Sequence, residues 1–261
     1  MLRRSVKLSF KVVALVAFLV AMCFAGEPNL PEIQAPWMKG ERLTFSLGWG
    51  PIIAGTATLE VKPLADGKTE FLSFAQGNNA ITRIYPVFDT VYTRVRNKGL
   101  MTEVFRKSLH EGTYHNKSVI RFDRAGGKAW LSDTVFTDKK FQVKRSSDTV
   151  VAIQGEEHSI MSAFYLVRSL PLEVGKTSRF AAVSGTKRYE LKVLVHGREE
   201  IKSAFGKVPC IKVEPVLDGD GLFNSKGRIF IWLTDDARRI PVLMECEIAL
   251  GSIKAKLLKV E

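Results

Sequence analysis

The chain has 261 residues, 46% hydrophobic and 10% aromatic, and a formal charge of +12 from 39 Lys and Arg against 27 Asp and Glu. That balance excludes an intrinsically disordered chain and provides ample material for a hydrophobic core. The basic residues are interspersed with acids and alternate with apolar positions, as on the wet face of a sheet, so no nucleic-acid groove is expected; the milder partner such a charge admits is an anionic lipid or glycan.

Met1 to Ala25 read as an export signal. Arg3, Arg4, Lys7 and Lys11 precede or break into an apolar run ending at Val20, and Cys23-Phe24-Ala25 offers small residues where a signal peptidase reads. The run is shorter than the roughly 20 apolar residues of a spanning helix, and no second such run follows. The mature chain is therefore expected outside the cytoplasm, in the periplasm, without a transmembrane span. The competing reading is lipidation at Cys23, but such a cysteine normally follows Gly, Ala or Ser, and Met22 stands here. The leader holds four cations and no acid, so its removal takes the charge from +12 to +8.

Residues 26–37 carry Pro28, Pro31 and Pro36 without periodicity and read as an extended arm. A single β-rich domain is expected from 38 to 261. Leu43, Phe45, Leu47 and Trp49 alternate with smaller or polar residues along a first strand; Ala57, Leu59 and Val61 do so along a second, and Asp66-Gly67 turns the chain towards Phe71. Three longer strands are expected over Phe88 to Arg96, Met101 to Glu111 and Tyr114 to Asp123, separated by turns suited to antiparallel neighbours. Another follows near Lys128 to Leu131. Thr134 to Val150, rich in Asp, Lys and Ser, reads as a mobile connection or an edge hairpin.

Glu156 to Leu170 breaks the alternation. Ile160, Ala163, Phe164 and Val167 recur at helical spacing, Ser159 can cap the start and Pro171 stops the segment. Strands then return: Tyr189, Leu191, Val193 and Val195 share a face, Val208 to Val216 follows, and Ile229 to Leu233 is apolar throughout, as in a strand covered on both faces. After a polar turn at Asp235 to Arg238 come Ile240 to Leu250 and Ile253 to Val260. The expected fold is mainly β, an antiparallel, strongly curved sheet or barrel-like domain with one packed amphipathic helix. Cys210 and Cys246 fall on strands separated by a third in a simple meander, which favours two free thiols.

Gly40-Glu41-Arg42-Leu43-Thr44-Phe45, Ala54-Gly55-Thr56-Ala57-Thr58-Leu59, Ser162-Ala163-Phe164-Tyr165 with Arg168, and Trp232 to Pro241 followed by Gly251-Ser252-Ile253 together resemble a bacterial exported family, domain of unknown function 3108. The block Asp235-Asp236-Ala237-Arg238-Arg239-Ile240-Pro241 is the specific part. The resemblance implies an envelope location and brings no established activity.

No cofactor or metal motif is legible. His110 and His115 flank a turn and could meet across a hairpin, but two ligands without a third do not make a zinc site. Ser159 beside His158 lacks the elbow of a nucleophile. Gly48-Trp49-Gly50 and Gly219-Asp220-Gly221 lack the strand-to-helix setting of phosphate loops. Asp235 or Asp236 as acid or base of a hydrolase lacks a separated carboxylate partner.

Two binding readings remain. Phe45, Trp49, Phe164, Tyr165 and Trp232 either fill the core or line a cavity for a lipid or other apolar or amphipathic envelope molecule, as in small β carriers closed by a helix. Asp235, Asp236, Arg238 and Arg239 read as a hairpin turn whose arginines bond neighbouring carboxylates, or alternatively as a surface that meets an envelope protein or an anionic glycan.

Overall fold

The computed structural model describes residues 30–137, 141–217, 227–248 and 251–261, with the side chain of Ile248 left aside. The expected export signal, Cys23 and the Gly219-Asp220-Gly221 turn lie outside these residues. Pro31 to Glu261 form one compact unit.

Its strands are β1 (Glu41–Trp49), β2 (Ile52–Pro63), β3 (Lys68–Gly77), β4 (Phe88–Arg96), β5 (Met101–Glu111), β6 (Tyr114–Asp123), β7 (Lys128–Phe136) and β8 (Val143–Ala152). After the helix come β9 (Thr177–Ser184), β10 (Lys187–Ser203), β11 (Gly206–Leu217), β12 (Ile229–Thr234), β13 (Pro241–Ile248) and β14 (Gly251–Val260). A single turn of helix, α1 (Asn79–Thr82), joins β3 to β4, and α2 (Ile160–Ser169) joins β8 to β9.

All fourteen strands belong to one antiparallel sheet in the order β8-β7-β6-β5-β4-β3-β2-β1-β14-β13-β12-β11-β10-β9. Each neighbour in this order is also a neighbour in sequence, except where β1 pairs with β14, Leu43 opposite Val260 and Trp49 opposite Ile253. The two edges, β8 and β9, are therefore consecutive in the chain, and the segment between them carries α2. The sheet is nearly closed and barrel-like. Near this seam a parallel bridge joins His158 to Ala182, with the Val183 amide donating to the His158 carbonyl at 2.9 Å. Val151 and Ile153 at the end of β8 pack in one cluster with Val183. Earlier in β8, Val143 to Asp148 are exposed throughout.

The core follows from strand alternation, which sends every second side chain inward. Leu43 and Phe45 of β1, Val61 of β2, Phe71 of β3 and Val95 of β4 form one inner cluster with Trp37, Met161 and Tyr165. Leu191, Val193 and Val195 of β10, Ile211 and Val213 of β11 and Ile231 and Leu233 of β12 form a second with Ala163 and Val167. Helix α2 serves both clusters, one along each side. Each fully buried large apolar side chain contributes roughly 1.5–3 kcal/mol relative to exposure. Tyr165 adds a stack on Phe71, ring centroids 3.9 Å apart and planes 10° from parallel, worth about 0.5–1.5 kcal/mol more.

Strand β12 is covered on both sides. Ile231 and Leu233 face the helix side, while Phe230 and Trp232 pack outside with Cys210 and Val242. Gly55 of β2 lies against β3 so closely that a Cβ there would meet the backbone carbonyl of Gln76. The cysteines are free; Cys210 is opposite Thr234 and Cys246 opposite Ile229, so β12 separates their strands. Burial, with Glu199, Asp235 and Asp236 nearby, pushes the Cys210 thiol up to about 11, which makes it inert.

Candidate functional site

Helix α2 is held at both ends by buried polar groups. At its start Ser159 and Ser162 form a reciprocal capping box: the Ser162 amide donates to Ser159 Oγ at 3.3 Å and the Ser159 amide to Ser162 Oγ at 3.0 Å. The Ser159 amide also donates to Thr102 Oγ1 of β5 at 2.9 Å. Arg124 donates to the carbonyls of Thr102, Gly155 and Glu157. Buried Glu157 accepts from the amides of Gln154 and Gly155 and from Arg188 Nε at 2.6 Å. Burial raises its pKa, yet these donors win and hold it below the usual carboxylate range. His158, beside it, is driven down to about 4 by burial and by the Arg124 charge, so its ring is neutral.

The C-terminal end is fixed by Arg168, 1% exposed. Its Nη1 and Nη2 donate to the two carboxylate oxygens of Glu41 at 2.6 and 2.9 Å, its Nε to the Arg239 carbonyl at 2.9 Å and its Nη2 to the Arg238 carbonyl at 3.1 Å. The guanidinium also lies 5.4 Å from the Trp37 ring centroid and 5.2 Å from that of Tyr165. Three sequence blocks that are distant along the chain thus meet at one cation: Gly40-Glu41-Arg42, the α2 block and the Asp-Asp-Ala-Arg-Arg turn.

Between these two fixed ends the sheet and α2 leave space. The larger cavity, about 420 Å³, has Leu59, Val91, Phe105, Ile120 and Met244 among its walls, and Ile160, Met161 and Phe164 as its helix side. Lys107, Ser118 and Asp133, in register across β5 to β7, and Ser184 also line it, so its surface is mostly apolar with a few polar groups. A smaller, apolar cavity of about 130 Å³ lies against β10 to β12, bounded by Val193, Val213 and Ile231. Ile160 and Phe164 line both cavities. The larger volume falls within the roughly 300–1,000 Å³ range of small-molecule sites.

The five aromatic candidates do not converge. Phe164 lines both cavities, Phe45 and Tyr165 are packed in the filled core, and Trp49 at the end of β1 is 46% exposed. Trp232 is on the outer side of β12, where its Nε1 donates to Glu199 at 2.6 Å and Lys212 Nζ lies 4.9 Å from its ring.

The acidic and basic candidates do come together, as a turn. Asp236 Oδ1 accepts from Thr234 Oγ1 at 2.6 Å and from the Arg238 amide at 3.0 Å, and its Oδ2 from the Arg238 guanidinium. Asp235 pairs with Arg198 at 2.7 Å and with Arg239 at 3.0 Å, and these two, Arg198 first, hold its carboxyl below the usual range. Side chains so engaged shape the β12–β13 connection and present its backbone carbonyls to Arg168.

His110 and His115 are directly opposite on β5 and β6, Nδ1 to Nδ1 3.1 Å, with Phe141 against both rings. No group of three or more His, Cys, Asp or Glu is placed to hold a metal among the described residues.

The cavity residues that sequence reasoning missed are mainly Phe105, Lys107, Ile120, Met161 and Val183. One signal was available: Lys107 is two positions from Phe105 and so shares its inward sheet face, an unusual place for a cation.

A crystal structure of a β-barrel-like protein of domain of unknown function DUF1849 from Brucella abortus is similar, with TM-score 0.50 at 14% identity over 85% of this chain and 97% of that one. A Bacteroides fragilis protein described as exported and YmcC-like gives TM-score 0.30 at 12% identity, over 89% of this chain and 98% of that one. No curated protein is a significant match. The profile described as protein of unknown function DUF3108 matches residues 44–258.

Proposed function

The chain belongs to the DUF3108 family, and we propose that it is a non-catalytic exported envelope protein that holds an apolar or amphipathic molecule, such as a lipid, between its sheet and α2. The observation that carries this reading is the cavity of about 420 Å³ beside a helix whose two ends are pinned by buried polar networks. A site of this kind binds by removing apolar ligand surface from water, with a few polar groups setting orientation. The seam between β8 and β9 supplies a route: beyond the His158–Ala182 bridge the two edges do not pair, and Ser184 and Gly185 at the end of β9 line the cavity. Export follows from the leader read in the sequence, and no helix among the described residues is long and apolar enough to cross a membrane.

Native mass spectrometry and solvent extraction of protein exported to the periplasm and purified without detergent test the reading. The expected result is a bound fraction with the mass of a lipid or lipid-like molecule. Protein that is empty as isolated and takes up no long-chain amphiphile when offered one would overturn it.

A further inference from the structure

The polar groups of the cavity include one cation, and from it we propose that the occupant is a single-chain amphiphile with an anionic head, its chain among the apolar walls and its head at Lys107. This rests on the ligand-holding reading above and names the ligand class.

Lys107 lines the cavity beside Val91 of the neighbouring strand, its register partner. Among the described residues it has no ion-pair or hydrogen-bond partner. Two acids in the neighbourhood already have other partners, and one of them, Asp133, lines the same cavity. Asp133 accepts from Asn116 Nδ2 at 2.9 Å and pairs with Arg145 at 3.7 Å; Asp89 accepts from the His110 amide at 2.9 Å and bonds to Glu111, acting on Lys107 only through its field. A neutral occupant would bury this ammonium without a partner, which is costly, whereas an anionic head compensates it. Ser118, opposite Lys107 on β6, and Ser184 also line the cavity and can donate to head-group oxygens. The volume, near the low end for ligand sites, fits one chain rather than two.

The test uses the mature protein and two fluorescent probes, cis-parinaric acid and its methyl ester, which share a chain and differ in head charge. Wild type is expected to bind the acid at least about tenfold tighter than the ester, the equivalent of one charge-assisted hydrogen bond. Lys107→Gln should bring acid and ester to the same affinity, weakening the acid and tightening the ester, which no longer leaves an ammonium unpaired; Lys107→Arg should keep the preference. Ester binding in the same variant is the control for folding. Competition by a monoacyl phosphate and by a free fatty acid then ranks phosphate against carboxylate heads. Equal binding of acid and ester by wild type, or a preference that survives Lys107→Gln, overturns the anionic-head proposal while the cavity reading stands. Binding of neither probe overturns both.

Discussion

Arg168 carries a full charge where water does not reach, and two carboxylate oxygens and two carbonyls answer it. Removing one member of a buried pair leaves the other uncompensated, so Arg168→Ala is expected to cost about 3–5 kcal/mol by leaving Glu41 without its partner. Arg238, with its side chain 61% exposed and paired with Asp236 of its own turn, should cost less than about 1 kcal/mol on truncation to Ala. Urea unfolding of both variants checks the contrast, and equal midpoints would contradict it. The Asp-Asp-Ala-Arg-Arg block was legible as a hairpin turn with arginines on nearby carboxylates, as Asp235–Arg239 and Asp236–Arg238 are, while residues that shape a turn and residues that meet a partner have the same polar composition. In the fold its Arg238 and Arg239 carbonyls accept from Arg168, some seventy residues away. His158 supplies a second residue-scale test. Its folded pKa, about 4, lies below the ordinary 6.5, so between those values the unfolded chain takes up a proton that the folded one does not. Its contribution is complete above pH 6.5 and is lost as pH falls towards 4, on the order of 3 kcal/mol. A His158→Gln variant should show a flatter dependence of unfolding midpoint on pH across that window; an unchanged slope would contradict the buried neutral assignment.

Among the elements, α2 was legible because helical spacing, a serine cap and Pro171 coincide, and the structure begins it after Ser159 and ends it at Ser169. β4, β5 and β6 likewise have the expected bounds. β8 was less distinct: an edge strand exposed over most of its length has no apolar alternation to display, so its sequence resembles a loop. β12 shows the limit in the opposite direction. A run apolar at every position announces two covered faces without saying which side chain takes which, and Trp232 falls outside, in contact with Glu199, rather than on the cavity. It is 6% exposed, so Trp232→Ala is expected to lower stability by about 3–5 kcal/mol while amphiphile binding by the folded fraction persists. Chemical denaturation with a parallel binding titration checks both; loss of binding at unchanged stability would move Trp232 to the ligand surface. Gly55→Ala, which drives a Cβ into the Gln76 carbonyl, should cost about 1–3 kcal/mol through displacement of β2 from β3; an unchanged denaturation midpoint would show that the backbone yields freely.

For the whole molecule, alternation along strands established an antiparallel, curved sheet, because inward and outward positions are local information. Closure was not local. The pairing of β1 with β14 joins residues more than two hundred apart, and the seam between β8 and β9 depends on where the curved sheet returns to itself. The cavity is a consequence of that return: Lys107, Ile120, Phe164 and Val183 lie far apart in sequence and line one space. Aromatic content pointed to candidates but could not separate filled core from open wall, since both are apolar. The proposed function therefore depends on whether that space receives a ligand. The most direct measurement is a methyl-resolved NMR titration of the mature protein with a long-chain fatty acid. The account predicts saturable shifts at Leu59, Val91, Ile120, Ile160 and Val183, with Val242 on the outer side of the sheet unmoved. Shifts confined to exposed methyls, or no saturable shift at all, would contradict it.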